Sequence, residues 1–374
     1  MDVLQRGRLL GILAVPLFMA QCAPQCAPPP PPPASIAEAW GRFDADLSAR
    51  LLSAGATSAS VTVSLGGEIV HSTAYGKRLG WTDEPAEAGD RFRIASISKV
   101  VTAIVVLQLV EAGRLGLDQA VGGTIAQGLG VTPIDPRFNE ITVRQLLSHT
   151  SGLGTFESLV FGATIGSCPE AAQRAIGVNL GGPPGSKYTY SNLGYCLLGQ
   201  LVEQVTGRSY ETAARDQLLA PLGIGGMRLA GTNDVQASEV FHWQKPNRNY
   251  MDVLGPAGSW VATSADVVRI VDSLDPAKPG FHPLSPGMAD LMRGRSPFLY
   301  SPDRWYGLGL ICFTDGTWGH TGTLESVHAM VLHRSDGMTW SVLVSGDTPK
   351  ESDDLRDMFD DVIAKAGVLP FLGL

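Results

Sequence analysis

Hydrophobic and polar positions change character along the chain, with strand-like alternation near both ends and helical stretches between them. Ser35-Ile36-Ala37-Glu38 reads as a capping box that opens a helix running to about Ser53. Ser60 to Leu65 and Glu68 to Tyr75 have strand character, and Gly66-Gly67 between them signals a hairpin. Lys99 to Ala112 is apolar nearly all round and stops at Gly113, the pattern of a fully buried helix. From about Gly116 to Phe298 the pattern predicts helices over 142–148, 191–206, 209–219, 264–274 and 285–293, with connectors such as Gly181-Gly182-Pro183-Pro184-Gly185. Strand character returns at Trp305 to Phe313, Thr317 to His320, Ser326 to His333 and Thr339 to Ser345, with Ser335-Asp336-Gly337 as a turn. Glu351 to Ala366 closes the chain as a helix.

This order predicts an α+β fold. An antiparallel sheet built from both ends of the chain is flanked by helices, and an all-helical lobe is inserted into it. The sheet lobe takes about 35–95 and 299–374, and the helical lobe about 96–298. A functional cleft is expected between the lobes. There is no internal repeat.

The first residues follow a different rule. Arg6 and Arg8 precede the apolar run Leu9 to Ala20, the order of a secretory signal over 1–23, and the run is shorter than the roughly 20 residues a membrane span needs. Leu17 to Cys22 loosely resembles a lipobox, so both a membrane tether through a lipidated Cys22 and simple secretion stay open; Cys26 is then spare. The expected location is periplasmic, envelope-anchored or secreted. Pro28 to Pro33, within a linker over 24–34, reads as a polyproline spacer. Of the other cysteines, Cys168–Cys196 is a conceivable disulfide, although Cys196 lies in an apolar helical run and reads rather as a buried thiol; Cys312 is the third.

Net charge is −8, from 28 Lys and Arg against 36 Asp and Glu, with no basic cluster, which argues against nucleic acid as a partner. Metal-ligand spacings such as C-x-x-C and H-E-x-x-H are missing, so no metal or other cofactor is expected. The expected partner is a small-molecule or peptide substrate.

Three segments carry chemistry. Ser96-Ile97-Ser98-Lys99 opens the buried helix; a Ser and a Lys three apart share a helix face. The helix N-terminus favours negative charge on the hydroxyl, and burial lowers the Lys99 pKa toward that of a usable base. Tyr190-Ser191-Asn192 follows the Gly/Pro loop. Tyr190 near a cationic lysine is expected to have a stabilised phenolate and to pass protons. Asn192 offers an amide to a substrate carbonyl or to Lys99. In Trp318-Gly319-His320-Thr321-Gly322-Thr323, Gly322 is expected to let a substrate backbone approach and His320 to face the cleft as a polar group. The Thr323 N–H joins that of Ser96 as an oxyanion hole. His149, beside Ser148 and Ser151, reads as structural rather than as part of a Ser–His triad, and the lipase elbow G-x-S-x-G is missing.

S-x-x-K, then Y-x-N, then H-T-G resembles the serine β-lactamase and penicillin-binding-protein superfamily, and within it the class C β-lactamase, D,D-carboxypeptidase and esterase group. Ile141 to Leu153, Gly255 to Trp260 and Thr263-Ser264-Ala265-Asp266 agree with that resemblance, which runs from about Ile36 to Ala366. It implies the β-lactamase/transpeptidase-like fold and an acyl-enzyme on Ser96, with Lys99 and Tyr190 sharing the proton work. The third element departs from the family's usual Lys-Thr-Gly. His320 is mostly neutral at pH 7, so a fixed cation for a β-lactam or D-Ala carboxylate is missing. Ester or amide hydrolysis is therefore favoured, with β-lactamase or D,D-carboxypeptidase activity as the alternative. A catalytically weak envelope binding protein is the reading from another class.

Overall fold

The structure, a computed structural model, describes residues 31–162, 166–347 and 352–374. The signal segment 1–23, Cys22, Cys26 and all but the last few linker residues lie outside these. Among the described residues no helix is long and apolar enough to cross a membrane.

Helix α1, Ile36–Ser53, begins where expected. The Ser35 side chain accepts from the Glu38 N–H, but the Glu38 carboxylate reaches back to the Ala34 N–H rather than to Ser35, so the reciprocal half of the capping box is shifted by one residue. Ala39, Trp40, Phe43, Leu47 and Leu51 make one buried face. That face meets the sheet and the helix Ser352–Ala366, whose Phe359 lies 5.5 Å from Phe43 and stacks on Trp340 at 4.1 Å. This helix does not close the chain, since a short helix Leu369–Leu372 follows.

Eight strands form one antiparallel sheet: β1 Ala56–Leu65, β2 Glu68–Gly76, β6 Leu299–Ser301, β7 Arg304–Tyr306, β8 Ile311–Phe313, β9 Trp318–Leu324, β10 Val327–His333 and β11 Met338–Gly346. Their order is β2-β1-β11-β10-β9-β8-β7-β6, so the first hairpin is stitched to the last strand, with Ser60 opposite Leu343. The alternation of β1 explains its placement. Ala59, Val61 and Val63 join the α1 core, while Ser60 and Thr62 turn to the other face and meet the Ser264 hydroxyl at 2.8 and 2.7 Å. Helix Ser264–Asp272, which carries Ser264, thus packs on the sheet although it falls within the segment read as the helical lobe.

The middle segment is not purely helical either. Strands β3 Phe92–Arg93, β4 Arg228–Leu229 and β5 Trp260–Ala262 form a second sheet in the order β3-β5-β4, too short to leave a periodicity signal. The expected strand Trp305 to Phe313 is two strands, β7 and β8, broken at Gly307–Leu310. The helix expected over 209–219 is Tyr210–Ala214 followed by a wider turn over Arg215–Leu219.

Helix α2, Ser98–Glu111, is the buried central helix, with every residue from Ser98 to Leu107 buried. It packs against α3, Asn192–Thr206. Cys196 of α3 is not a free thiol: it is bonded to Cys168, and among the described residues only Cys312 remains free, buried in β8. Closing a loop of 28 residues constrains the unfolded chain by about 3–4 kcal/mol in the entropic account. An apolar helical run made Cys196 look like a core thiol because both states are equally buried.

Candidate active site

Ser96 sits on a tight turn, Ala95–Ile97, between β3 and α2. Ala95 has φ +46°, a left-handed conformation for a residue with a Cβ, so the turn that presents the hydroxyl is strained. The Ile94 N–H is tied to the Trp260 carbonyl, and the Ser98 hydroxyl accepts from the Trp260 N–H at 3.2 Å. Ser98 is thereby buried as a strut, and Ser96 faces the cleft.

The three segments converge. Lys99 Nζ lies 3.0 Å from Ser96 Oγ, 2.8 Å from Asn192 Oδ1 and 2.7 Å from the Ala257 carbonyl oxygen. Tyr190 donates its hydroxyl to Ser96 Oγ at 2.8 Å. Lys99 is fully buried, and no carboxylate pairs with it among the described residues. Burial therefore drives its pKa well below that of a free lysine. Nζ is ringed by three acceptors, Ser96 Oγ, Asn192 Oδ1 and the Ala257 carbonyl oxygen, so once the proton that burial disfavours is lost, Asn192 and Ala257 hold two hydrogens and the lone pair turns to the Ser96 O–H.

Tyr190 departs from expectation. Its pKa is pushed above that of free tyrosine, burial being the largest cause and the Ser96 hydrogen bond an opposing one. The resting group is a protonated phenol and not a lysine-stabilised phenolate, because burial of the ring disfavours the anion. Asn192 holds Lys99 with its carbonyl and lines the cleft.

His320 lines the cleft, as expected, but is only 1 % exposed and has both ring nitrogens engaged. Its Nδ1 lies 2.6 Å from the Thr321 carbonyl, an acceptor, so Nδ1 carries the proton and Nε2 accepts from the Tyr306 hydroxyl at 2.9 Å. Burial holds its pKa down to about 3, so it stays neutral at ordinary pH. Gly322 also differs from expectation. A Cβ there would stand 2.4 Å from the Ile94 carbonyl oxygen and 3.1 Å from the Ala95 Cβ. Its missing side chain admits the nucleophile's own turn, not a substrate. Gly322→Ala is expected to displace Ser96 and lower kcat about 100-fold or more, with KM changed less. Steady-state kinetics beside a denaturation curve check this; unchanged kcat contradicts it.

Thr323, with Thr321, lines the cleft. β9 pairs with β10 along its length but with β8 only at Trp318 and Gly319, so from His320 onward its other edge has no strand partner among the described residues. The Ser96 N–H makes no backbone hydrogen bond outside its own turn.

Sequence reasoning missed the aromatic surround. The cleft, about 360 Å³, is walled by Tyr188, Tyr190, Tyr300, Tyr306 and Ile311, and no Arg, Lys, Asp or Glu among the described residues lines it. Behind Tyr190, the buried His149 ring lies 4.3 Å from it and 4.5 Å from Tyr306, and its Nδ1 accepts from the Ser191 N–H at 3.1 Å. Its pKa is driven well down by burial, and φ is +58°. His149 therefore fixes the turn that carries Tyr190 and touches no nucleophile. Isolated tyrosines on separate loops have no sequence periodicity; the run Gly255-Pro256-Ala257 was visible, but the role of the Ala257 carbonyl was not.

The sequence model of the Beta-lactamase family matches residues 43–365. Penicillin-binding protein 4 of Amycolatopsis lactamdurans is 31 % identical over 296 residues, covering 75 % of this chain and 74 % of that protein. A probable fimbrial assembly protein FimD of Dichelobacter nodosus is 27 % identical over 300 residues, covering 74 % and 73 %. Among solved structures, the D-amino acid amidase of Ochrobactrum anthropi SV3 superposes with a TM-score of 0.72 at 20 % identity, covering 88 % of this chain and 99 % of that one, a likeness of fold.

Proposed function

The chain belongs to the Beta-lactamase family, serine hydrolases by fold and descent, and from that premise we propose that it is an exported enzyme that cleaves ester or amide substrates through an acyl-enzyme on Ser96. The observation that carries this reading is the contact of one hydroxyl with a fully buried amine at 3.0 Å and a phenol at 2.8 Å.

In the acylation step the Ser96 O–H gives its proton to the Lys99 lone pair as Oγ attacks the substrate carbonyl. The developing oxyanion is held by the N–H groups of Ser96 and Thr323. Tyr190 protonates the leaving oxygen or nitrogen as the carbonyl carbon's bond to it breaks, and takes a proton back from Lys99. In deacylation Tyr190 relays a proton from the attacking water to Lys99, and collapse of the second intermediate returns it to Ser96 Oγ. Asn192 keeps the amine aimed. His320 acts through Tyr306, as a positioning residue. The unpaired edge of β9 suits an extended acyl group lying along Thr321 and Thr323.

No Lys or Arg among the described residues lines the cleft, which favours substrates without a carboxylate beside the scissile bond. The likeness to penicillin-binding protein 4 favours a second reading, slow acylation by β-lactams. A short-chain p-nitrophenyl ester, nitrocefin and a D-Ala-D-Ala peptide assayed in parallel separate them. The ester is expected to show the highest kcat/KM. Preference for the β-lactam or the peptide overturns the substrate assignment and leaves the acyl-enzyme standing. Export is supported by the order Arg6, Arg8, Leu9 to Ala20. The mass of the chain recovered from an envelope fraction tests it: full length contradicts cleavage.

A further inference from the structure

A second cavity, about 420 Å³, opens where the ends of β1 and β11 and the β9–β10 turn meet the loops around residues 79–81 and 241–243. It shares no lining residue with the Ser96 cleft. Trp81 and Trp243 line it while 67 % and 52 % exposed, a degree of exposure unusual for such large apolar groups. Its walls are anchored: the Phe241 N–H donates to the Arg78 carbonyl at 2.9 Å, and the Ser345 hydroxyl donates to the Phe241 carbonyl at 2.8 Å. The Trp81 and Phe241 rings meet at 4.7 Å and 72°, so they form a corner rather than a flat platform.

The cavity holds one carboxylate. Asp347 accepts from the Ser326 hydroxyl at 3.0 Å and has no basic ion-pair partner among the described residues. The cations of the adjoining loops are already engaged, Lys77 with Asp83, Arg78 with Asp90 and Lys245 with Glu325. The neighbouring His328 is kept neutral mainly by its burial. A carboxylate with no basic partner among the described residues, beside aromatic faces that meet at 72°, attracts a cation twice over, through its charge and through the ring quadrupoles.

We propose that Trp81, Phe241, Trp243 and Asp347 form a second binding site, for the alkylammonium group of a small molecule. A sugar would stack on a flat ring, and the 72° corner suits a compact cation better.

Choline chloride, titrated into the full chain at constant ionic strength and followed by tryptophan fluorescence and calorimetry, tests the proposal. Saturation is expected below about 10 mM, with the neutral isostere 3,3-dimethylbutan-1-ol bound about tenfold more weakly. Trp81→Ala and Asp347→Asn are each expected to weaken choline binding about fivefold or more, with ester hydrolysis unchanged in both. Equal affinity for the neutral isostere overturns the proposal. So does unaltered choline binding in both variants, tighter binding of N-acetylglucosamine, or no saturation of the parent protein.

Discussion

Ser96→Ala is expected to lower kcat about 10⁴-fold or more while leaving the fold intact. Neither neighbouring candidate can replace the nucleophile: Ser98 is buried and bonded to the Trp260 N–H, and His149 is walled off by tyrosine rings. The fold survives because Ser96 Oγ is hydrogen-bonded, among the described residues, only to Lys99 and Tyr190, while Lys99 keeps Asn192 and the Ala257 carbonyl. The loss of two hydrogen bonds at a partly open position changes stability by about 1–2 kcal/mol at most. Kinetics beside a thermal denaturation curve read both effects. Residual turnover within tenfold of the parent would place the nucleophile elsewhere.

Lys99→Met is expected to lower kcat/KM about 10³-fold or more, because it removes the lone pair that takes the Ser96 proton and leaves the phenol facing an unactivated hydroxyl. The pH profile of the parent enzyme separates a base from a charged anchor. Lys99 must be neutral to act, and its pKa is depressed by burial. The kcat/KM curve should therefore have an acid limb at a pKa well below that of free lysine, and the limb should disappear in the variant. Activity that rises only near pH 10 would contradict a depressed pKa. The same shift acts on stability. Between the depressed folded value and the ordinary value of 10.5 the unfolded chain binds the extra proton, so this group's contribution rises with pH across that window and is least favourable below it. Tyr190→Phe should act more mildly on acylation, since Lys99 still faces Ser96.

Those expectations rest on contacts that the sequence exposed unevenly. The interleaved sheet was legible because β1, β2, β10 and β11 are long enough to alternate, and because α1 and α2 carry clear start and stop signals. Ser96, Lys99 and Tyr190 were legible by spacing and order, and Asn192 in one of the two roles it was offered. The strands β3 to β5 were not, since two or three residues give no period. Gly322 was singled out as a close-approach glycine, but which backbone approaches it depends on tertiary packing. The neutrality of His320 was legible, but its burial was not, and Tyr190 was misjudged because its protonation follows from burial by rings contributed by residues as far apart in the chain as 149 and 306.

The most direct measurement is peptide mapping after reaction with a fluorophosphonate, which follows a serine's acylation without a natural substrate. A single adduct on Ser96 is predicted, formed at a rate that falls on the acid side with the same pKa as kcat/KM, and lost in Lys99→Met. An adduct on any other residue, or an active enzyme that forms none, would contradict the account.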